Sequence, residues 1–591
     1  MDLVLPEAGE LPSTLATAPR YRLVTKEKSG GVTYTPKSLA DFVGMQIVAA
    51  SGANRKGSVL RVLDPAVGDG ELLLSLLDHM HASSLKNIEV HGFETNEQAM
   101  RQAAKRLSLQ FPGVSLHLKH ADFLEYVLSQ PGMTGGLFTT GQGEKFDLVI
   151  ANPPYVRTQV MGTAHAQLLS QQFGLNGRVD LYHAFLLGIA QVLKHGGTAG
   201  VIVSNRFMTT RSGASVRQAL REAFDIEHVW DLGDTKIFDV AVLPAVLLVH
   251  GKQSKPGKRS RFTSIYATTQ SASMRAANPI LAIAREGVVE LEDGRRFEVR
   301  QGELDVRGPL DNIWRIATEA GDSWLATVAA NTWGSFGSIG KIRVGVKTCA
   351  DKVFIRDDWE SLPQDIQPEL LRPLITHHIG RRFRAFVADK PRQILYPHQM
   401  ENNCRIASDL AQSPRAAAYL RSHRDVLESR RYVVDSGRNW YEIWVPQDPA
   451  AWDRPKLVFR DISEKPMFWI DLDGSVVNGD CYWLVANRHA DERLLWLAVA
   501  VGNSTFIEAF YDHRFNNKLY AGRRRFMTQY VEQFPIPNPD AVIGQEIIER
   551  AKALYHGIEK STAGRLETEL NQLVWKAFGL SFEETGRQGN L

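Results

Sequence analysis

Asn152-Pro153-Pro154-Tyr155 stands out in this 591-residue chain because its residue types, at that spacing, can do one definable piece of chemistry. Two consecutive prolines remove two backbone donors and hold the turn rigid, while their carbonyls stay available as acceptors. The Asn152 side-chain oxygen and the Pro153 carbonyl can then both accept from a single –NH2 group. Tyr155 offers a ring face on which a planar ligand can stack. A plain Pro-Pro turn with a core tyrosine is the bland alternative. The apolar run Phe146 to Ala151 just before it argues against that, since it sets the turn at the end of a strand.

Three further groups fall at comparable places. Asp64-Pro65-Ala66-Val67-Gly68-Asp69-Gly70 follows one apolar run and precedes a helical pattern. Its glycines let a backbone approach a ligand closely, although any tight strand-to-helix turn can be glycine-rich. It has neither the GxGxxG spacing of a dinucleotide site nor the GK[ST] ending of a phosphate loop. Glu94 ends the next run. It can accept from two ribose hydroxyls, or it can cap the following helix. Asp122 can accept from an adenine amine, and Phe123 can pack on a purine ring.

The elements that must hold these groups are readable as well. Apolar runs cover 59–65, 87–94, 146–154, 197–204, 226–233 and 244–251. Amphipathic helical patterns lie between them at 71–81, 98–107 and 182–194. Strands apolar throughout, separated by helices, predict a doubly wound α/β domain with a mostly parallel sheet, Rossmann-like in plan. In such a sheet ligands bind beyond the carboxyl ends of the strands, where all four groups sit. Gly251 to Arg261 is rich in Lys, Ser, Gly and Pro and reads as a connection. Beyond it the rhythm breaks into short apolar runs, aromatics and turns, which predicts a separate α+β domain. Two helical patterns follow Asp540 and are expected to pack on that domain. The expected division is therefore 1–252 and 253–591.

Bulk properties set limits. The net charge is +3, so any nucleic-acid face must be local. Three cysteines, Cys349, Cys404 and Cys481, share no CxxC pairing, which argues against a disulfide framework or a cysteine zinc site. They fit a reducing cytosol. No signal-peptide pattern or bilayer-length apolar run occurs, so a cytoplasmic, bacterial-type protein with no membrane partner is expected.

The order of these motifs resembles the gamma class of amino-DNA methyltransferases, typified by the TaqI adenine-N6 enzyme of restriction–modification systems. The resemblance spans the first domain. Gly31-Val32-Thr33-Tyr34-Thr35-Pro36 is similar to the family's opening motif, and implies Thr35 and Pro36 near the methionine moiety of S-adenosylmethionine. Asp64, Ala66 and Gly68 match the family's cofactor loop. Glu94 matches its ribose-binding acid, and Asp122 and Phe123 its adenine pocket. Asp180 to Phe185 and Leu193 to Gly197 resemble its later motifs. In the family a phenylalanine stacks on the flipped base opposite the tyrosine. Phe238, in Gly233-Asp234-Thr235-Lys236-Ile237-Phe238, is the implied match. This chain has two additional residues before it, and a core phenylalanine is the competing reading.

The resemblance implies methylation of the adenine N6 amine within a short specific sequence of double-stranded DNA, with the base flipped out of the helix. Asn152, Pro153, Pro154, Tyr155 and Phe238 would be its catalytic residues, and Asn152 would also border the cofactor. No metal is required. A separate endonuclease of the same specificity is the usual functional partner. Asn at the first position of the tetrapeptide favours adenine over cytosine in the family. A release-factor glutamine methyltransferase, an RNA methyltransferase and a nuclease fusion are the rivals. The first is about half this length. The last finds no Glu-x-Lys triplet in the chain.

In the second domain the loosely similar stretches are Gly340 to Thr348, Pro373 to Arg382 and Arg523 to Pro537. Candidate DNA contacts are Lys347, Arg381, Arg382, Arg384, Arg430, Arg431, Arg438, Lys518, Arg523, Arg524 and Arg525, with Trp440, Tyr441, Tyr520 and Phe526 among them. About half of these cations are expected to be ordinary surface charges.

Overall fold

The computed structural model describes residues 34–52, 59–85, 87–130, 144–155, 171–173, 180–238, 243–252, 259–305, 312–386, 389–487, 491–515, 523–557 and 560–582. They form two compact units: one runs to Val203 and takes in His250–Lys252, and the other comprises Ser204–Val249 and the chain beyond.

The first unit alternates helix and strand: α1 (Lys37–Ala50), β1 (Leu60–Asp64), α2 (Glu71–Ala82), β2 (Ile88–Glu94), α3 (Glu97–Gln110), β3 (Ser115–His120), α4 (Phe123–Ser129), β4 (Phe146–Ala151), α5 (Leu181–Val192) and β5 (Leu193–Ser204). The strands lie in the order β3-β2-β1-β4-β5, and every neighbouring pair is parallel. The central strands β1 and β4 are buried almost throughout, as their largely apolar sequences require. β3 is different. Ser-Leu-His-Leu-Lys-His forms an exposed edge strand, and its polar residues hid it from a search for apolar runs.

The chain runs outward from β1 to β3, then returns to place β4 on the other side of β1. With right-handed crossovers, that reversal puts helices on both faces and opens a crevice between the carboxyl ends of β1 and β4. Leu63 pairs with Val149, so Asp64 and the Asn152 turn emerge side by side at that crevice.

In the second unit, β6 (Phe224–Asp231), β7 (Pro244–Gly251, its last two residues belonging to the first unit), β8 (Arg261–Ala267), β9 (Met274–Ala276), β10 (Gly287–Leu291) and β11 (Arg296–Leu304) are ordered β7-β6-β8-β11-β10-β9. β11 runs antiparallel to both β8 and β10, and this is the loss of βαβ rhythm seen after residue 261. Further on, Ile342–Val344, Cys481–Val485, Lys456–Arg460, Phe468–Asp471 and Phe383–Arg384 form a five-stranded sheet in that order. The two C-terminal helices, Val542–His556 and Lys560–Ala577, close an apolar core through Ile547, Ile548, Val574 and Trp575, as their sequence pattern predicts.

Among the described residues no single helix is long and apolar enough to cross a membrane. The apolar pair Arg493–Gly502 and Thr505–Phe515 is bent by 75° and belongs to this core. One ionic feature lies inside the five-stranded sheet. Lys456, fully buried, pairs with Asp471 on the adjacent strand at 2.5 Å and donates to the Trp452 carbonyl at 2.6 Å. Burial pushes the Lys456 ammonium pKa down while Asp471 opposes it.

Candidate active site

Positive φ at Gly68 (54°) and Gly70 (85°) shapes the loop after β1. A side chain is strained at either position, and a Cβ on Gly70 would also come within 3.1 Å of Ala103. The loop is tied down from three sides. Asp64 accepts from the Ala66 N–H at 2.9 Å, Glu94 from the Gly68 N–H at 2.9 Å, and the Phe93 carbonyl from the Val67 N–H at 3.0 Å. Arg106 on α3 donates to the Asp69 carbonyl at 2.8 Å and pairs with Glu71.

Glu94 does not cap the next helix. Asn96 does, accepting from the N–H groups of Gln98 and Ala99, while Glu94 also accepts from the Asn96 N–H at 2.7 Å. Asp122 does act as a cap. One of its oxygens accepts from Leu124 and Glu125 at the start of α4. Capping and ligand binding are compatible, since a carboxylate offers about four lone-pair positions.

These groups line one cavity of about 190 Å³ within the first unit. Thr35, Ala66, Gly68, Glu94, Asp122, Phe123, Asn152, Pro153, Pro154 and Tyr155 all face it. Pro36 instead stands directly before α1, its carbonyl accepting from the Leu39 and Ala40 N–H groups, and Asp64 lies fully buried near the loop. Phe238 belongs to the second unit, where its ring is buried. Gly31, Val32 and Thr33 of the opening motif, and Lys518 and Tyr520, lie outside the described residues. The cavity is also lined by Tyr34, Asp69, Leu181 and Phe185, which the sequence places in motifs without a role of their own, and by Phe93 and Glu71, which sequence reasoning missed. Tyr34, Asp69, Glu71 and Phe93 are within a few residues of a chosen position, and Leu181 and Phe185 lie in the Asp180–Phe185 stretch. Their signal was adjacency to a strand end or a helix start.

The tetrapeptide is held by its own side chains and by α5. The Asn152 Nδ2 donates to the Thr35 hydroxyl at 3.0 Å, and the Tyr155 hydroxyl donates to the Asn152 Oδ1 at 3.1 Å. Tyr182 on α5 approaches the Tyr155 ring with centroids 6.2 Å apart. Burial drives the Tyr155 phenol pKa well above its ordinary value. The neighbouring His183 is held neutral by burial, its pKa lowered to about 3.

In the second unit, several sequence-selected arginines are committed to the fold. Arg430 is buried and donates to the carbonyls of Thr348, Trp440 and Glu442. Arg524 and Arg525 make two-pronged pairs with Asp512 and Asp461. Arg438 donates to the Trp444 carbonyl, Arg382 pairs with Glu567, and Phe526 is a core ring. Lys347, Arg381, Arg384, Arg431 and Arg523 remain exposed. Arg381 lies over the exposed Phe386 ring at 4.5 Å.

Residues 71–238 match the Eco57I restriction-modification methylase family, and residues 395–536 match the TaqI-like C-terminal specificity domain. The Type II methyltransferase M.BanIII of Aneurinibacillus aneurinilyticus is 36% identical over 577 residues, covering 94% of this chain and 98% of that protein. The chain belongs to the Type II methyltransferases. M.PaeR7I of Pseudomonas aeruginosa, another Type II methyltransferase, is 25% identical over 95% of this chain and 93% of its own length. In fold, the chain is similar to the Type IIL restriction-modification enzyme MmeI, solved with DNA. The TM-score is 0.55 and the identity 14%, covering 94% of this chain and 74% of MmeI.

This Type II methyltransferase is a DNA methyltransferase of a restriction–modification system, and its cofactor is S-adenosylmethionine. The cavity's residues suit that cofactor. It joins an ammonium and a sulfonium to a ribose and a purine. The cavity sets Asp69, Glu71, Glu94 and Asp122 beside Phe93, Phe123 and Phe185. Near it, the Asp64 Oδ2 is buried with no donor among the described residues. Burial, reinforced by Glu94 and Asp69 and opposed by the Ala66 N–H, raises the Asp64 pKa to about 7.

The raised pKa predicts a pH effect. Asp64 favours the folded state fully below its unfolded pKa near 4, and that preference is lost as pH rises through about 7. Asp64→Asn should therefore gain stability relative to the parent between pH 5 and pH 8, by at most about 3 kcal/mol in the cofactor-free protein. Denaturant titrations of both proteins at the two pH values measure it. An equal difference at both pH values would contradict the shift.

Proposed function

We propose that this Type II methyltransferase transfers a methyl group to the N6 amine of adenine within a short specific DNA sequence. The observation that carries the reading is that Asn152, directly after β4, lines the same cavity as the loop after β1. An adenine amine is a poor nucleophile because its lone pair is delocalised into the ring, and it is buried in the duplex. The base must be extruded, at a cost of a few kcal/mol. Stacking on the Tyr155 ring offsets about 1–3 kcal/mol of that cost.

Asn152 Oδ1 and the Pro153 carbonyl accept the two amine hydrogens. That draws the nitrogen toward a tetrahedral shape and directs its lone pair into the cavity. When bound, S-adenosylmethionine supplies the electrophilic methyl group. The protein's contribution is orientation and preset dipoles. Glu94 would hold the ribose, Asp122 and Phe123 the adenine of the cofactor, and Thr35, Pro36, Asp64, Ala66 and Gly68 the remainder. The first unit contains no cysteine, so it lacks the thiol nucleophile of a cytosine-C5 mechanism. The second unit would read the sequence, with Arg381, Arg384 and Lys347 among the exposed cations able to reach DNA. A separate endonuclease of the same specificity would be the functional partner.

Expression in a methylation-deficient bacterial host, followed by long-read sequencing, tests the reading. Modified adenine at every copy of one short motif, absent with Asn152→Ala, is expected. Modified cytosine would overturn the choice of base.

A further inference from the structure

We propose that Thr35, besides any contact with the cofactor, is the positioning residue for the Asn152 amide. The inference rests on the adenine-N6 reading and names the device that readies its acceptor.

The two ends of an asparagine amide are nearly the same in shape but opposite in function: the oxygen accepts and the nitrogen donates. A target amine needs the oxygen. If the –NH2 end were presented, two donors would face each other. The tetrapeptide alone does not decide which end faces the cavity. The Thr35 hydroxyl accepts from Asn152 Nδ2 at 3.0 Å while the Tyr155 hydroxyl donates to Oδ1 at 3.1 Å, and the two contacts together hold the amide with its oxygen on the Tyr155 side.

Thr35 is well built for this task. It is β-branched and therefore stiff at χ1. It precedes Pro36, which confines its backbone to the extended region. Pro36 leads into α1 through its carbonyl, which accepts from the Leu39 and Ala40 N–H groups, and α1 is anchored by Leu39, Ala40, Val43 and Ile47, all fully buried. The hydroxyl is thus fixed to the core of the unit through one proline. Thr35 and Asn152 are 117 residues apart, so the contact depends on the fold and cannot be seen in either motif.

Thr35→Val keeps the shape and removes the hydroxyl. With a duplex carrying the motif found by sequencing, kcat is expected to fall about 10- to 100-fold. Affinity for S-adenosylmethionine, read by calorimetry, should fall by much less than kcat. The fluorescence rise of 2-aminopurine at the target position should also persist, because the base is still extruded. Thr35→Ser should restore most of kcat. In an Asn152→Ala background Thr35→Val should cost nothing further, because the group it orients is gone.

An unchanged kcat in Thr35→Val, with Asn152→Ala inactive, overturns this inference and leaves the reading of the site intact. A loss of cofactor affinity that matches the loss of rate also overturns it, and makes Thr35 a cofactor residue only. Full activity in Asn152→Ala overturns both. A matched thermal midpoint for Thr35→Val excludes misfolding as the cause of a lost rate.

Discussion

Asn152→Ala should lower the single-turnover rate of methyl transfer by about 10²- to 10³-fold or more, while S-adenosylmethionine and DNA still bind. The magnitude follows from what is removed. The acceptor in question meets an amine whose nucleophilicity develops only as its hydrogens are drawn away, so the interaction strengthens toward the transition state. The Asn152 side chain also holds the Tyr155 hydroxyl at 3.1 Å, so the tyrosine ring loses an anchor as well. Rapid-quench measurement with saturating cofactor and motif duplex separates the chemical step from product release. A rate within about threefold of the parent would remove Asn152 from the chemistry.

The second large effect concerns stability. Asp471→Ala strands the Lys456 ammonium, 0% exposed, among the apolar side chains of the five-stranded sheet. An uncompensated buried charge costs about 3–5 kcal/mol. The mutant should therefore unfold at a clearly lower denaturant concentration. Changing both residues to well-packed apolar side chains, Lys456→Met with Asp471→Leu, should recover most of the loss, because no charge is then left unpaired. If the double variant is as unstable as the single one, the hydrogen bonds to the Trp452 carbonyl and from the Ser475 N–H matter more than the charge.

How much of this was legible in the sequence varies with the physics behind each signal. A buried parallel strand must be apolar over most of its length, so β1, β2, β4 and the second half of β5 announced themselves, and the groups at the carboxyl ends of β1, β2 and β4 followed. β3 pairs on one side only and tolerates Ser, His and Lys, so it carried no such signal. At Glu94 the two possible roles were local, and only the fold showed that Asn96 takes the helix cap; that Asp122 caps the next helix was not read from the sequence at all.

The arginines show the opposite limit. Arg430, Arg524 and Arg525 look like DNA-binding cations in sequence, yet their partners are carbonyls and carboxylates brought in from elsewhere in the fold. A motif names the groups that do the chemistry. It does not say which groups hold them, and the Thr35 hydroxyl beside Asn152 is the example at this site.

The most direct test of the central claim uses the purified protein with methyl-tritiated S-adenosylmethionine and unmethylated bacterial DNA, followed by digestion to nucleosides. All label in N6-methyl-2′-deoxyadenosine, and none with Asn152→Ala, is the expected result. Label in N4-methyl-2′-deoxycytidine would contradict it.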